Sequence, residues 1–423
     1  MAIRSYDTAI MVNLLDPSFA DQHDDACVCL IGAGTVGRAI LEVHLAHGFD
    51  VVLADANPAA LQAVCDDLLK RHPSHCAQWV NTTVADLPTV VLAKGQPGQP
   101  WIVIESIPEN LSIKHSLFLK LTQQFDSHVV FATNTSNLRV VDVFAPLGSD
   151  PRCCGLHFFM PVEERPLVEC IATSFTSPRV QSACQAHAER IGKQTLFVQD
   201  SPGFVVNRLL APYLNQSLLM LERGVDASQL ASAAAWFGMP MSPLKLIDTI
   251  GLRTAFDSGR VFWQAFPDRL DPASILPGML KARRKETVLA SSFLESGSLT
   301  PVAQQVIATY QRERGNWQTP EIGQMIAIPM WIEAAELLAA AVVDDLESIE
   351  LAMAGGLGYV QSSGFFGFFD SLGRDPLLQH LQLHEHRFKG LRAPQALRRC
   401  LQVTGSPREA VIRYAERRRA SPR

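Results

Sequence analysis

His157 stands in the apolar run Gly155-Leu-His-Phe-Phe159, and Glu169 follows twelve residues later inside another, Leu167-Val-Glu-Cys170. If these runs are neighbouring strands joined by the turn Met160–Pro166, the imidazole and the carboxylate stand side by side. A carboxylate so placed fixes the imidazole tautomer and stabilises the imidazolium formed when the ring takes a proton. A histidine alone in an apolar run is usually a satisfied core group. A glutamate there is harder to set aside, because an unpaired buried charge is costly. Each residue gives the other its meaning: together they read as a general base and its orienting partner.

A second constellation is Gly32-Ala33-Gly34-Thr35-Val36-Gly37, directly after one apolar run and opening a helical one. A dinucleotide pyrophosphate needs close backbone approach and a helix N-terminus whose free N–H groups favour negative charge. The first glycine permits the tight turn, the second clears space for phosphate, and the third lets helix and strand pack. Asp55 closes the next strand eighteen residues after Gly37, where a carboxylate can bond both ribose hydroxyls. It repels a 2′-phosphate and no arginine follows it closely, so NAD is favoured over NADP.

Two further polar groups sit where such a site needs them. Asn134-Thr-Ser136-Asn137 follows the run Val129–Ala132, at the carboxyl edge where open α/β sheets bind ligands. The plain alternative is a turn and helix cap. Asn207, in Pro202-Gly-Phe-Val-Val-Asn-Arg208, begins the first long helix beyond the sheet region; taken alone it reads as an exposed helix-start residue.

The elements that position these groups alternate. Strands are expected over Ala26–Ile31, Val51–Ala54, Trp101–Glu105, Val129–Ala132, Cys153–Phe159, Leu167–Ala172 and Thr195–Val198, and helices over Thr35–His47, Pro58–Arg71 and Leu111–Gln124. That pattern predicts an α/β, doubly wound parallel sheet. Beyond Asp200-Ser-Pro-Gly203 the chain reads as almost wholly helical, with a mixed, polar stretch over Lys285–Thr319. There Leu209–Gly251 resembles Met325–Gly373, with Pro212 matching Pro329 and Asp248 matching Asp370, so the all-α region is two copies of one module. The expected division is a polar tail (1–25), a dinucleotide domain (26–200) and helical modules over 201–300 and 301–423.

With 423 residues, 47% hydrophobic and 19% charged, the chain has ample material for packed cores and none of the composition of disorder. A net charge of −5 makes nucleic acid an unexpected partner. The nine cysteines form no CxxC pair, no metal is expected, and a reducing cytoplasm fits them. The apolar stretch Ile322–Val343 is interrupted by Glu333 and Glu336, so no membrane span is expected.

In this order, Gly-Leu-His-Phe-Phe with its later glutamate, Asn-Thr-Ser, and Pro-Gly-Phe-x-x-Asn-Arg resemble the L-3-hydroxyacyl-CoA dehydrogenase family, over most of the chain. The second helical copy resembles that of the multifunctional fatty-acid-oxidation α subunits, whose hydratase domain is absent. The resemblance implies oxidation of an (S)-3-hydroxyacyl-CoA by NAD in the cleft between sheet edge and helices. His157 would be the base and Glu169 its partner, with Ser136 and Asn207 on the reacting oxygen. Glu109 and Lys114 would lie near the nicotinamide ribose; from the residues alone they read as a helix-start acid and a surface lysine. The chain departs from the family at Met160, where Asn is usual, and in a shorter stretch between Asp55 and Glu105, the CoA-binding region. It also lacks a recognisable Lys-x-Gly-x-Gly-Phe-Tyr motif near Lys281–Phe293, and Gln324 stands near the asparagine's place in the second copy. Two other readings therefore stay open: a dehydrogenase of a 3-hydroxy acid without CoA, and a weakly active NAD-binding scaffold subunit. A homodimer, a monomer with an internal pseudo-dimer, and association with a hydratase or thiolase are all compatible with the sequence.

Overall fold

The structure, a computed structural model, describes residues 28–71, 79–86, 101–283, 292–313 and 315–420. The expected polar tail (1–25) lies outside the described residues. The chain packs as two compact units, one ending at Phe197 and the next beginning at Val198, a division that falls within the last strand of the sheet (Gln194–Gln199), described below with the first unit.

In the first unit the elements run β1 (Val28–Ile31), α1 (Thr35–Ala46), β2 (Val51–Asp55), α2 (Pro58–Arg71), β3 (Trp79–Thr83), β4 (Ile102–Glu105), α3 (Leu111–Gln124), β5 (Val130–Thr133), β6 (Cys153–Phe158), β7 (Leu167–Ala172), α4 (Pro178–Arg190) and β8 (Gln194–Gln199). The sheet order is β3-β2-β1-β4-β5-β6-β7-β8, parallel from β3 to β6 and antiparallel between β6 and β7. Order reverses at β1, which has β2 on one side and β4 on the other. That switch point opens a crevice at the carboxyl ends of the strands.

Strands β1, β4, β5, β6 and β7 are buried along their whole length, the mark of a sheet covered on both faces. Val28, Leu30, Ile102, Ile104, Val130 and Ala132 pack on one face with Ile40, Leu61 and Ala183 of α1, α2 and α4. Phe131, between the last two, points to the other face and meets Phe118 of α3 edge-on. Short-range chemistry starts the helices: Asn110 caps α3 by accepting from Ile113 N at 3.2 Å, and Ser177 with Pro178 opens α4. Strand β3 and helix α4 add to the elements expected from the sequence.

The helices of the second unit used below are α5 (Val206–Glu222), α6 (Ala227–Phe237), α7 (Pro243–Ile250), α8 (Leu252–Ala265), α9 (Thr319–Ala339), α10 (Leu346–Leu351), α11 (Gly364–Leu372), α12 (Arg374–His384) and α13 (Pro407–Ala420). Positions matched by the internal repeat share local geometry. Pro212 and Pro329 lie inside the long helices α5 and α9, and Asp226 and Asp345 are the N-caps of α6 and α10. Gly251 (φ +89°) and Gly373 (φ +84°) each end one helix and start another. Asp248 accepts from Phe293 N and Leu294 N, and Asp370 from Arg408 N. Trp236 of the first copy packs on Gly323 of the second, and Val206 of the first packs on Gly356 of the second. Helix α9 is long and apolar enough to cross a membrane, yet 89% of its most apolar window is buried inside the protein. Glu333 and Glu336 are paired there with Arg208 and Arg269.

Candidate active site

Strand pairing sets the first feature. The β6–β7 register puts His157 directly opposite Glu169, and His157 Nδ1 lies 2.8 Å from Glu169 Oε2. Glu169 is fully buried and His157 is 5% exposed. An ionised carboxylate only accepts, so Nδ1 carries the hydrogen and Nε2 is the basic nitrogen. The ring is held edge-on by Phe159, with centroids 4.7 Å apart. Gly155 lets the strands close: a Cβ there would stand 2.8–2.9 Å from side-chain atoms of Val140 and Ile171.

A carboxylate network at the same sheet edge fixes the neighbouring turn. Asn134 is a strut with both ends engaged: its Oδ1 accepts from Phe158 N at 2.9 Å and its Nδ2 donates to Ser106 Oγ at 3.2 Å. This ties the end of β5 to the residue after His157. Glu109 clasps the turn that follows, accepting from Thr135 Oγ1 (2.8 Å), Ser136 N (2.7 Å) and Ser136 Oγ (3.2 Å). Asn137 Nδ2 donates to Ser136 Oγ at 2.9 Å.

Lys114 is not the surface lysine its local sequence suggests. It is 1% exposed; its Nζ donates to Glu105 Oε1 at 2.6 Å and stands 3.7 Å from Glu109 Oε2. Glu105 itself escaped the sequence reading. It is fully buried at the end of β4 and also accepts from Thr133 Oγ1 and Ile107 N, each at 2.7 Å. The signal was a glutamate closing the apolar strand Ile102-Val-Ile-Glu105, the same sign that singles out Glu169.

The glycine turn fits a dinucleotide. Gly32 has φ +118°, and a Cβ on it would lie 2.4 Å from Ser106 O; a Cβ on Gly37 would lie 1.9 Å from Gly32 O. Those two glycines are demanded by the fold. A Cβ on Gly34 would meet nothing within 4 Å, so its bareness serves whatever approaches from outside. Gly34 is also the N-cap of α1 and no side chain caps that end, which leaves first-turn N–H groups for a pyrophosphate. Thr35 is exposed, while Val36 leans on the core and Ala33 is buried. Asp55 accepts from Ala33 N and Asn57 N, each at 2.7 Å, one bond per oxygen. Each oxygen keeps lone-pair capacity for a ribose hydroxyl, and the Ala33 bond anchors the turn to β2.

Asn207 belongs to the second unit, half-buried in the first turn of α5, beside the buried Arg208. Met160, at the position where the family usually has Asn, is 42% exposed.

Comparison with known proteins names the architecture. Residues 27–201 match the NAD binding domain of 3-hydroxyacyl-CoA dehydrogenase, and residues 203–296 match its C-terminal domain. A glyoxysomal fatty acid beta-oxidation multifunctional protein of Cucumis sativus is 28% identical over 386 residues; the match covers 87% of this chain. The chain spans about half (53%) of that curated relative's length. Among solved structures, an (S)-3-hydroxybutyryl-CoA dehydrogenase of Ralstonia eutropha is 30% identical with TM-score 0.53, covering 60% of this chain and 93% of its own. The 3-hydroxybutyryl-CoA dehydrogenase of Escherichia coli shares the fold at 22% identity and TM-score 0.71, over 89% of this chain and 98% of its own. With its NAD-binding and helical regions matched in order and a 30% identical relative covered almost end to end, the chain belongs to the 3-hydroxyacyl-CoA dehydrogenase family.

Proposed function

We propose that the protein oxidises an (S)-3-hydroxyacyl-CoA to the 3-ketoacyl-CoA with reduction of NAD. The observation that carries this reading is the 2.8 Å hydrogen bond between His157 Nδ1 and a fully buried Glu169, on a strand whose carboxyl edge is that of the glycine turn. His157 Nε2 takes the proton of the substrate hydroxyl. Bound NAD would supply the acceptor for the hydride that leaves the carbon bearing that hydroxyl. Glu169 receives the resulting imidazolium as an ion pair, which lowers the barrier to proton uptake. Ser136 and Asn207 hold the oxygen on which charge develops, Glu109 and Lys114 orient the turn beside the nicotinamide ribose, and Asn134 braces the strand that carries the base.

The thioester preference is a separate point, because the stretch between Asp55 and Glu105 is short for the family. Turnover of NADH with acetoacetyl-CoA, and of NAD with 3-hydroxybutyryl-CoA against free 3-hydroxybutyrate, tests both. Activity confined to the thioesters supports the proposal. Activity on the free acid points instead to a dehydrogenase that needs no CoA. Tight NADH binding without turnover on short or long 3-ketoacyl-CoA points to a scaffold subunit.

A further inference from the structure

Arg208 follows Asn207 in α5 and is buried, as is Glu333 in α9 of the second helical copy. Arg208 Nε donates to Glu333 Oε1 at 2.6 Å, and Arg208 Nη1 donates to the Ser201 hydroxyl at 3.0 Å. Arg269 meets Glu333 Oε2 at 3.2 Å and also reaches Glu336, which the Tyr414 hydroxyl joins from α13. The Phe266 ring carries both guanidinium groups, each 4.6 Å from its centroid. The charge that anchors Arg208 therefore comes from the copy that lacks the Pro-Gly-Phe-x-x-Asn motif.

The segment so anchored is strained. Gly203 has φ +74° and Phe204, a buried non-glycine residue, has φ +51°. Such a conformation persists only where the surroundings over-determine it. Arg208 spans the turn: its backbone N donates to Gly203 O at 3.2 Å, its Cγ packs over Gly203, and its guanidinium holds Ser201. A side chain bonded across the turn at one end and to Glu333 at the other fixes where α5 begins, and Asn207 is in that first turn.

We infer that Glu333 is a positioning residue for Asn207, so that the second helical copy sets the geometry with which the first holds the reacting oxygen. The inference rests on the proposed role of Asn207. A catalytic group moved by about 1 Å can cost about 10²-fold in rate, so a modest shift of α5 is enough to read.

The test uses the full chain, NADH and acetoacetyl-CoA. Glu333→Gln is expected to lower kcat by about 10- to 100-fold with the KM for NADH unchanged, and Glu333→Asp to recover part of the loss. In an Asn207→Ala background, adding Glu333→Gln should cost nothing more, because its route to the chemistry has already been removed. Tyr414→Phe, which loosens the same network away from Arg208, should keep its kcat and so separates positioning from lowered stability. Should Glu333→Gln fail to fold, Arg208→Lys carries the test: it keeps the charge but cannot bridge Ser201 and Glu333 at once. Full kcat in the Glu333 and Arg208 variants overturns the inference, as does a Glu333→Gln loss that adds undiminished to Asn207→Ala. An Asn207→Ala enzyme with undiminished kcat overturns the reading of Asn207 itself, and the inference falls with it.

Discussion

Both units bury a glutamate inside an apolar element, and the partner decides what each can do. Glu169 faces His157, an imidazole whose second ring nitrogen has a lone pair that can accept a proton. Glu333 faces Arg208 and Arg269, whose guanidinium groups only donate and have no lone pair to accept a proton. The first pair can take up a proton and keep the new charge in an ion pair. The second can only hold two segments together. Glu105 with Lys114 stands with the second kind: a buried lysine bonded at 2.6 Å to a carboxylate is a brace. An acid in an apolar run thus signals either chemistry or mechanical anchoring, and only the partner across the fold distinguishes them.

The most direct way to break that contrast is to remove the imidazole. His157→Ala is expected to lower turnover of acetoacetyl-CoA by about 10³-fold or more while leaving NADH binding intact, read by NADH absorbance and by fluorescence titration. Glu169→Gln should cost about 10²-fold, because the amide can no longer stabilise the imidazolium and can trap the wrong tautomer. Equal, small losses in Glu169→Gln and Glu333→Gln would sink the distinction, since both carboxylates would then be braces.

A second contrast lies within the glycine turn. Gly37→Ala forces a Cβ to within 1.9 Å of the Gly32 carbonyl oxygen, backbone that cannot step aside, so the first unit should lose its fold. Gly34→Ala adds a methyl group into open space. It should fold with a melting temperature near that of the parent and bind NADH about tenfold more weakly, because the methyl would stand where we propose that the pyrophosphate approaches. A Gly34→Ala protein with parental NADH affinity would show that the phosphates pass elsewhere.

Much of this was legible before any coordinates, for identifiable reasons. The opposition of His157 and Glu169 follows from an antiparallel pair with a short turn, and helix α3 spans the expected Leu111–Gln124. Lys114 reads as a surface lysine from its residue type alone, because a charged side chain is mostly exposed. Its spacing to Leu117, Phe118 and Leu121 puts it on the buried stripe, and burial followed the stripe. Glu333 and Glu336 registered only as interruptions of an apolar helix, because their arginines lie far away in sequence. Strand β3 is a short strand at the sheet's edge, and its polar Asn81, Thr82 and Thr83 give little alternation to read.

The smallest effect at neutral pH is one that appears only on acidification, and it comes from a histidine with no carboxylate to receive its charge. His44 Nδ1 donates to Ile40 O at 2.7 Å, so its Nε2 must accept from His187 Nε2, 2.9 Å away. His187 Nδ1 is left buried without a partner among the described residues. Protonating His44 would set two N–H groups against each other, and protonating His187 would bury a donor with no acceptor. Burial accordingly pushes the His44 imidazole down to about 4 and His187 well below its ordinary value. Both folded-state values are depressed, so the pair's contribution is intact above the unfolded value of 6.5 and is lost as pH falls from there toward about 4. Each group can remove up to about 1.4 kcal/mol per pH unit over that window. His380 in the second unit, pushed down to about 3 by burial, adds a slope of its own. Urea unfolding at about pH 7 and about pH 5 should therefore show a steep loss of stability in the parent, and a shallower one in His44→Leu/His187→Leu, with the His380 share remaining. Parallel slopes in the two proteins would mean that the pair already carries a proton in the folded state, which the Ile40 bond and the bare Nδ1 argue against.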